Sequence, residues 1–281
     1  MDVTVGVMAH NEEKTMGRLL ESLLNQRLKK VRIREIVVVS SGSTDRTDEI
    51  VRGFCRRDAR VRLVTEPERR GKSRAINLFL GLAKTDMVVL ECGDTVPEPD
   101  AIERLCLPLY DEGVGITMAR PVSFYKRNSL LGYSVYLIWE MYHHLCTRSP
   151  KYGELMAFRR VFDSIEDTSV DEETIGARIR ELEMESVYVP DAVFHAGGPE
   201  SVGGFLSQRR RIFAGHLFLK RRLGHKAPSM GAFMTLRILK RVGDKRMLLI
   251  APAMGLECFA RLLGFYDYLR GREDVVWKIS R

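Results

Sequence analysis

The sequence predicts an α/β fold in which a mainly parallel sheet is flanked by helices. Short apolar runs recur through the first 120 residues, and segments with helical spacing of apolar residues separate them. Residues 36–39 (IVVV) are apolar at every position, which is typical of a parallel strand covered on both faces. Residues 13–26 carry a methionine and several leucines at helical spacing. This alternation implies right-handed crossovers between parallel strands.

The individual elements follow from these two patterns and from the turn residues between them. Asn11 ends the first strand and can cap the first helix, and Gly71 opens the third helix. The predicted strands are residues 3–8, 35–39, 61–65, 87–90 and 114–119. The predicted helices are residues 13–26, 46–57, 71–82 and 100–110. Ligands of such sheets bind beyond the carboxyl ends of the strands, in the loops 9–13, 40–45, 66–73 and 91–97.

The second part of the chain is less regular. Residues 130–145 are apolar and aromatic, and they form either a buried helix or a helix on a membrane surface. Short strands are predicted at residues 154–158 and 186–189. Further helices are predicted at residues 171–182, 202–223, 235–241 and 247–268, the last with a kink or start at Pro252.

The net charge of +8 is unevenly distributed. Residues 201–281 contain 17 basic and 5 acidic residues, so the positive excess lies in the last third of the chain. A basic region of this kind faces phosphate in nucleic acid, in anionic lipid or in a substrate. Because its basic residues alternate with leucine and phenylalanine and form no nucleic-acid-binding motif, we expect no nucleic-acid partner.

The cysteines and the first residues bear on the compartment. The five cysteines form no CxxC pair and are odd in number, which favours a reducing compartment over a disulfide framework or a zinc ribbon. The segment MDVTVGVMAHNEE has no basic region followed by an apolar one. We therefore interpret it as a first strand rather than a signal peptide.

Two of the predicted loops contain residues suited to phosphate chemistry. Asp94, with Glu91 nearby, can hold a divalent cation against phosphates, although an acidic turn needs no ligand. Lys72 follows Gly71 at a helix start, where backbone N–H groups favour anions. An exposed basic helix start is the alternative, since the spacing of a P-loop is absent.

Later segments offer a base and a further cation. Asp171 and Glu172 begin a helix, where acids interact well with the dipole; alternatively, one of them is a general base for an acceptor hydroxyl. Gln208 and Arg211 share a helix face, which either reaches a phosphate or is simply solvated. His195 is either a metal ligand or a loop histidine.

The order of these segments along the chain is specific. AHNEE, SSGSTD, GKSRAIN, ECGD, DEET and QRRRI follow one another. Over about residues 1–215, this order resembles the inverting family 2 glycosyltransferases. The resemblance implies a GT-A fold, a UDP- or GDP-sugar as donor, and Mg²⁺ or Mn²⁺ as cofactor. It also implies that an acceptor hydroxyl attacks the anomeric carbon while the nucleoside diphosphate leaves.

The resemblance assigns roles to individual positions. Ser41 stands where the family has an acid that meets the base, and Cys92 stands where the metal-binding motif has its first acid. Asp94 matches the second acid of that motif, which is the usual metal ligand, and Glu91 is open as a substitute for the first. The donor-binding positions are Asn11, Glu12, Ser41, Lys72, Asn77, Gln208 and Arg211.

The same alignment places Glu172 at the position of the catalytic base. A shift of one residue would exchange it with Asp171, so both remain candidates. Gly153-Glu154 resembles the acceptor-side segment. Ile212 replaces the tryptophan that lines the acceptor site of processive polysaccharide synthases, which argues against that activity.

The C-terminal region favours a membrane surface. Residues 247–256 are uncharged over only ten positions, whereas a spanning helix needs about 20 apolar residues. We therefore predict an interfacial helix, because anionic lipid attracts basic residues beside an apolar stretch. A helix packed on the core is the alternative. The basic residues concerned are Arg237, Lys240, Arg241, Lys245, Arg246, Arg270 and Arg272.

We thus expect a GT-A catalytic domain over residues 1–225 and a basic, amphipathic helical region over residues 226–281. The expected acceptor is lipid-linked or membrane-proximal, such as a polyprenyl phosphate or a lipid-linked glycan of the cell envelope. The expected location is cytoplasmic, at the inner face of the cell membrane. Ser41 and Cys92 stand where the family has acidic residues. This motivates an alternative, a catalytically weakened partner subunit that binds a nucleotide sugar or lipid.

Overall fold

The computed structural model describes residues 1–230 and 247–276, and their strands form one sheet. The strands are β1 (Asp2–Ala9), β2 (Arg32–Ser41), β3 (Val61–Glu66), β4 (Met87–Cys92), β5 (Thr95–Pro97), β6 (Val114–Ser123), β7 (Leu155–Arg159) and β8 (Glu185–Ala196). Their order is β3-β2-β1-β4-β7-β6-β8-β5. The first four strands of this order pair in parallel, whereas β7 runs antiparallel to both β4 and β6. The predicted α/β class is confirmed, with a parallel half and a mixed half.

Helices flank this sheet, as predicted. They are α1 (Met16–Leu24), α2 (Thr47–Arg57), α3 (Lys72–Leu82), α4 (Ala101–Cys106), α5 (Leu130–Cys146), α6 (Asp171–Glu181), α7 (Val202–Leu223) and α8 (Met247–Leu269). The helix predicted at residues 100–110 is shorter, because a 3₁₀ turn containing Pro108 follows α4. Proline has no N–H to continue the α-helical hydrogen bonds. The predicted helix at residues 235–241 lies outside the described residues.

The core lies on both faces of the sheet. Along β2, Val38 belongs to the cluster that α1, α2 and α4 cover, whereas Val37 and Val39 belong to the cluster that α3 and α6 cover. Successive side chains of a strand point to opposite faces, so two covered faces require an uninterrupted apolar run. This explains the sequence of residues 36–39.

α8 lies along α7 and turns its charged side chains toward it. Arg209 of α7 donates two hydrogen bonds of 2.8 Å to Glu257, and Arg210 forms an ion pair with Asp267. At Gly264, an added Cβ would lie 2.4 Å from the Arg210 carbonyl oxygen. A larger residue there would force the two helices apart.

The outward face of α8 is apolar. Phe259, Leu262 and Leu269 are 52%, 68% and 67% exposed. By length and composition alone, Leu249–Leu269 is apolar enough to cross a membrane. Its most apolar 18-residue window has a mean hydropathy of 1.3, and 17% of that window is buried. Of the predicted flanking basic residues, five lie outside the described residues: Arg237, Lys240, Arg241, Lys245 and Arg246.

Candidate functional site

A cavity of about 660 Å³ lies beyond the carboxyl ends of β1, β2 and β4. This is the edge of the sheet where the sequence predicts a ligand site. The starts of α3 and α6 and one face of α7 contribute to its wall. The predicted site residues that line it are Glu12, Ser41, Lys72, Asp94, Asp171, Glu172, Gln208 and Arg211.

Asn11 shapes the loop after β2 instead of lining the cavity. It adopts a left-handed conformation with φ 57°, and its amide oxygen accepts a hydrogen bond of 2.7 Å from the Thr44 N–H. In the same loop, the Asp45 carboxylate accepts a hydrogen bond of 2.9 Å from the N–H of Thr47, the first residue of α2. Asn11 thus supports this loop, and its donor-binding role remains a prediction.

Lys72 stands at the start of α3. Gly71 has φ 100°, a conformation that side chains disfavour, and it lets the chain turn into the helix. Lys72 Nζ donates a hydrogen bond of 2.9 Å to Cys92 Sγ and forms an ion pair with Glu172. Burial would lower the pKa of Lys72, but Cys92 and Glu172 outweigh it and raise that pKa well above its usual value. The ammonium group is therefore charged at neutral pH.

The two candidate bases have different electrostatic environments. Burial and then the charge of Glu172 raise the pKa of Asp171 to about 7. Burial acts on Glu172 in the same direction, but Lys72 outweighs it and lowers the pKa of Glu172. Asp171 Oδ1 is buried without a hydrogen-bond partner among the described residues. Asp171 is thus suited to accept a proton near neutral pH, whereas Glu172 is held by Lys72.

Arg211 and the segment after α8 hold the loop that precedes α6. The Arg211 guanidinium donates a hydrogen bond to the Ser169 carbonyl oxygen. Glu273 accepts a hydrogen bond of 3.3 Å from the Ser169 N–H. An added Cβ at Gly71 would lie 3.1 Å from the Val275 carbonyl oxygen. The chain beyond α8 therefore packs against two of the elements that carry cavity residues.

Four predicted site residues do not line the cavity: Asn11, Asn77, Glu91 and His195. The Glu91 carboxyl accepts a hydrogen bond from Thr95 Oγ1, and burial raises its pKa to about 8. His195 Nε2 lies 3.4 Å from Glu98 Oε1. Neither side chain lines the cavity, and the metal-ligand roles of Glu91 and His195 remain predictions.

Asp94 is the carboxylate of the predicted metal motif that lines the cavity. No group of three or more histidine, cysteine, aspartate or glutamate side chains within residues 1–230 and 247–276 is arranged to hold a metal ion. Divalent cations often take one or two protein carboxylates and complete their shell with substrate phosphates and water. The residues present therefore fit an ion that is shared with a diphosphate.

The other half of the cavity is more apolar, and α5 and α8 face it with Ile138, Met141 and Met254. Glu154 and His216 also line the cavity, and neither was among the predicted site residues. Burial lowers the pKa of His216 to about 3, so its ring is neutral. The sequence feature that could have identified His216 is its spacing from Gln208, because residues eight apart lie near the same face of a helix.

Asn77→Ala is expected to destabilise the protein without weakening ligand binding. Its amide donates to the Ile165 carbonyl at 2.9 Å and accepts from the Ile165 N–H at 2.8 Å. Loss of both hydrogen bonds is expected to lower the free energy of unfolding by about 1–3 kcal/mol, measured by urea denaturation. A folded variant whose free energy of unfolding equals that of the wild-type protein would contradict this structural role.

Comparisons with known proteins bear on this site. A protein-family model described as "Glycosyl transferase family 2" matches residues 4–161. The probable glycosyltransferase YdaM of Bacillus subtilis is 34% identical over 122 residues, which cover 42% of this chain and 29% of YdaM. A dolichyl-phosphate beta-glucosyltransferase of Trichomonas vaginalis is 30% identical over 104 residues, 35% of this chain and 32% of that protein. The matches thus span about a third of these curated relatives.

A solved structure covers nearly the whole chain. The mannosyltransferase PcManGT from Pyrobaculum calidifontis, in complex with GDP-Man and Mn²⁺, matches 96% of this chain and 88% of its own, with a TM-score of 0.66. The sequence identity is 21%, so this likeness concerns the fold.

Proposed function

Because this chain belongs to glycosyl transferase family 2, we propose that it moves a sugar from a nucleotide-diphosphate sugar to an acceptor hydroxyl or phosphate, with inversion at the anomeric carbon. The observation that carries the proposal is a single cavity lined by Lys72, Asp94 and Asp171. These side chains supply a cation, a metal-binding carboxylate and a base. PcManGT, which shares the fold, was solved in complex with GDP-Man and Mn²⁺, and this supports the choice of donor and metal.

The diphosphate fits the cationic side of the cavity. Lys72 and Arg211 lie on α3 and α7 and both line the cavity. Negative charge develops on the diphosphate as it leaves, and preorganised cations stabilise that charge. Asp94 would hold Mg²⁺ or Mn²⁺ against the phosphates, and the bound ion would supply Lewis-acid stabilisation of the leaving group.

We assign the general base to Asp171 and a supporting role to Glu172. Asp171 combines an unpartnered oxygen, among the described residues, with a pKa of about 7, whereas Glu172 orients Lys72. A single base suits a nucleoside-diphosphate leaving group, which departs without protonation. Glycoside hydrolases need a second carboxyl group because their leaving group must be protonated.

A lipid-linked acceptor at the cytoplasmic face of the membrane is the acceptor class that we propose. Apolar residues of α5 and α8 line the half of the cavity away from Lys72. The outward face of α8 is apolar, and its charged residues Glu257 and Asp267 are paired with α7. This arrangement suits a helix that lies in the membrane surface. The name of the Trichomonas relative gives dolichyl phosphate as that enzyme's acceptor, which supports the proposal.

Phe259→Glu and Leu262→Glu are each expected to weaken binding to phosphatidylglycerol liposomes by about tenfold or more. Burying such a side chain contributes about 1.5–3 kcal/mol, and a charge removes that contribution. Liposome flotation measures the effect. Leu182→Glu is the matched control, because Leu182 is 51% exposed but lies at the end of α6. Wild-type protein that floats no better with anionic liposomes than without them would contradict the proposal.

A thermal-shift screen of UDP-, GDP- and dTDP-sugars with and without Mn²⁺ tests the function. A donor at about 100 times its Kd is expected to add about 2.7 kcal/mol to stability. The Asp94→Asn variant is expected to lose the Mn²⁺-dependent part of the shift. If no nucleotide sugar shifts the wild-type protein, the proposed function is wrong.

A catalytically weakened partner subunit is the second candidate. Cys92, which is a buried free thiol hydrogen-bonded to Lys72, and Ser41 favour it. In that case the protein would bind a nucleotide sugar without detectable transfer or donor hydrolysis. Transfer by the wild-type protein that is lost in Asp94→Ala and Asp171→Asn variants would exclude it.

A further inference from the structure

Glu154, the residue before β7, brings a carboxyl group into the cavity wall, in the segment whose sequence resembles the acceptor side of the family. β4 and β7 pair antiparallel with Glu91 opposite Leu155, so Glu154 comes next to Cys92 at the end of β4. Glu154 lines the cavity, and its Oε2 atom is buried without a hydrogen-bond partner in the part of the chain that the structure describes. Leaving such an oxygen unpaired is costly unless a ligand completes its hydrogen bonding.

The backbone beside Glu154 is packed against α5. At Gly153, an added Cβ would lie 2.8 Å from the Tyr142 hydroxyl. That hydroxyl donates a hydrogen bond of 2.8 Å to the Lys151 carbonyl oxygen. Contacts with a rigid helix therefore set the position at which Glu154 enters the cavity, as recognition of one ligand geometry requires.

Glu154 lies between the two halves of the cavity. Its cross-strand neighbour Cys92 contacts Lys72. Burial and then the charge of Asp94 raise the pKa of the Glu154 carboxyl well above its usual value, although Lys72 opposes them, and this favours the protonated form. The preceding residue, Gly153, packs against Tyr142 of α5, which also lines the cavity. In an inverting displacement, the transferred sugar ring lies between the leaving group and the nucleophile. Glu154 is therefore placed beside the ring rather than beside the nucleotide.

We propose that Glu154 is a specificity-determining residue that accepts hydrogen bonds from hydroxyl groups of the transferred sugar. Sugar hydroxyls donate and accept hydrogen bonds, and a carboxyl group in its protonated form donates through its O–H and accepts through its other oxygen. A site built to bond a hydroxyl rejects an analogue that lacks it, because the buried group is then left unpaired. This inference rests on the proposed function, and it names the sugar as the part of the donor that the Glu154 side chain recognises.

Calorimetric titration with UDP-glucose, GDP-mannose, UDP and GDP in Mn²⁺ tests the inference. Glu154→Ala is expected to weaken binding of the preferred sugar nucleotide by about 10- to 100-fold, and Glu154→Gln is expected to lose less, because its amide still offers an acceptor and a donor. The Kd of the matching nucleoside diphosphate is expected to stay within about twofold, because the contact is made only to the sugar. Glu154→Gln keeps the size of the side chain and so separates recognition from packing.

Asp48→Asn is the matched control, because Asp48 of α2 is a partly buried carboxylate whose Oδ1 atom also has no hydrogen-bond partner among the described residues, and it does not line the cavity. Equal losses for the sugar nucleotide and the nucleoside diphosphate, or no loss for either, in folded Glu154 variants would overturn the inference and leave the proposed function standing. Wild-type protein that binds none of the four ligands would overturn both. Thermal unfolding of each variant reports whether it is folded.

Discussion

The Asp171→Asn variant is expected to lose transfer activity by about 10²–10⁴-fold while it still binds the sugar nucleotide. Asparagine cannot accept the proton of the acceptor hydroxyl. Because burial and Glu172 raise the pKa of Asp171 to about 7, this carboxyl is protonated below that pH and ionised above it. In the wild-type protein, kcat/KM is therefore expected to rise with pH through about 7. Initial rates across this range, with calorimetric donor binding, measure both effects.

The Glu172→Gln variant is the companion to this experiment. The charge of Glu172 helps to raise the pKa of Asp171, so its removal is expected to lower that pKa. We expect residual activity in this variant, with the rise of kcat/KM shifted to lower pH. Activity that is lost in Glu172→Gln and kept in Asp171→Asn would reverse the two assignments.

Lys72→Met is expected to lower kcat by about 10²–10³-fold, the range observed when one preorganised stabiliser of developing charge is removed. Lys72 is the cation that contacts both Cys92 and Glu172, and it is charged at neutral pH. Without it, burial would raise the pKa of Glu172 with less opposition. Steady-state kinetics with the preferred sugar nucleotide measure the loss, and Lys72→Arg keeps the charge and is expected to lose less.

Arg74→Met is the matched control for Lys72. Arg74 lies two residues later on α3, its side chain is 52% exposed, and it lies 3.8 Å from an equally exposed Asp167. Exposed ion pairs of this kind contribute at most about 1 kcal/mol. We expect nearly wild-type kinetics. A similar loss in both variants would show that the effect belongs to α3 as a whole and not to Lys72.

Much of the fold could be predicted from the apolar patterns. The runs that became β1 to β4 alternate with helical segments, and each pattern is local to a few residues. β5 was not predicted, because three residues are too few to reveal the alternation of apolar and polar residues that indicates a strand. The antiparallel insertion of β7 beside β4 was also not predicted, because strand neighbours are chosen by packing between distant segments.

The candidate site, like the fold, could be predicted only in part from the sequence. Asp94, Lys72 and the pair Asp171-Glu172 could be selected from sequence, since each follows a strand or begins a helix at the ligand-binding edge. Glu91 was selected for its place beside the metal motif and His195 for its place in a loop, and in the structure they contact Thr95 and Glu98. Residue type does not reveal which way a side chain points.

Local chemistry in the sequence was enough to establish the α/β class, the family and eight charged or polar residues that line the cavity. The proposed roles of Asp171 as base and Glu172 as support came from the fold, because the ion pair of Lys72 with Glu172 joins residues 100 positions apart. The place of Glu154 beside Cys92 came from strand register, which also joins distant segments. Periods and motifs are properties of neighbours in the chain, whereas burial, charge pairing and pKa depend on neighbours in space.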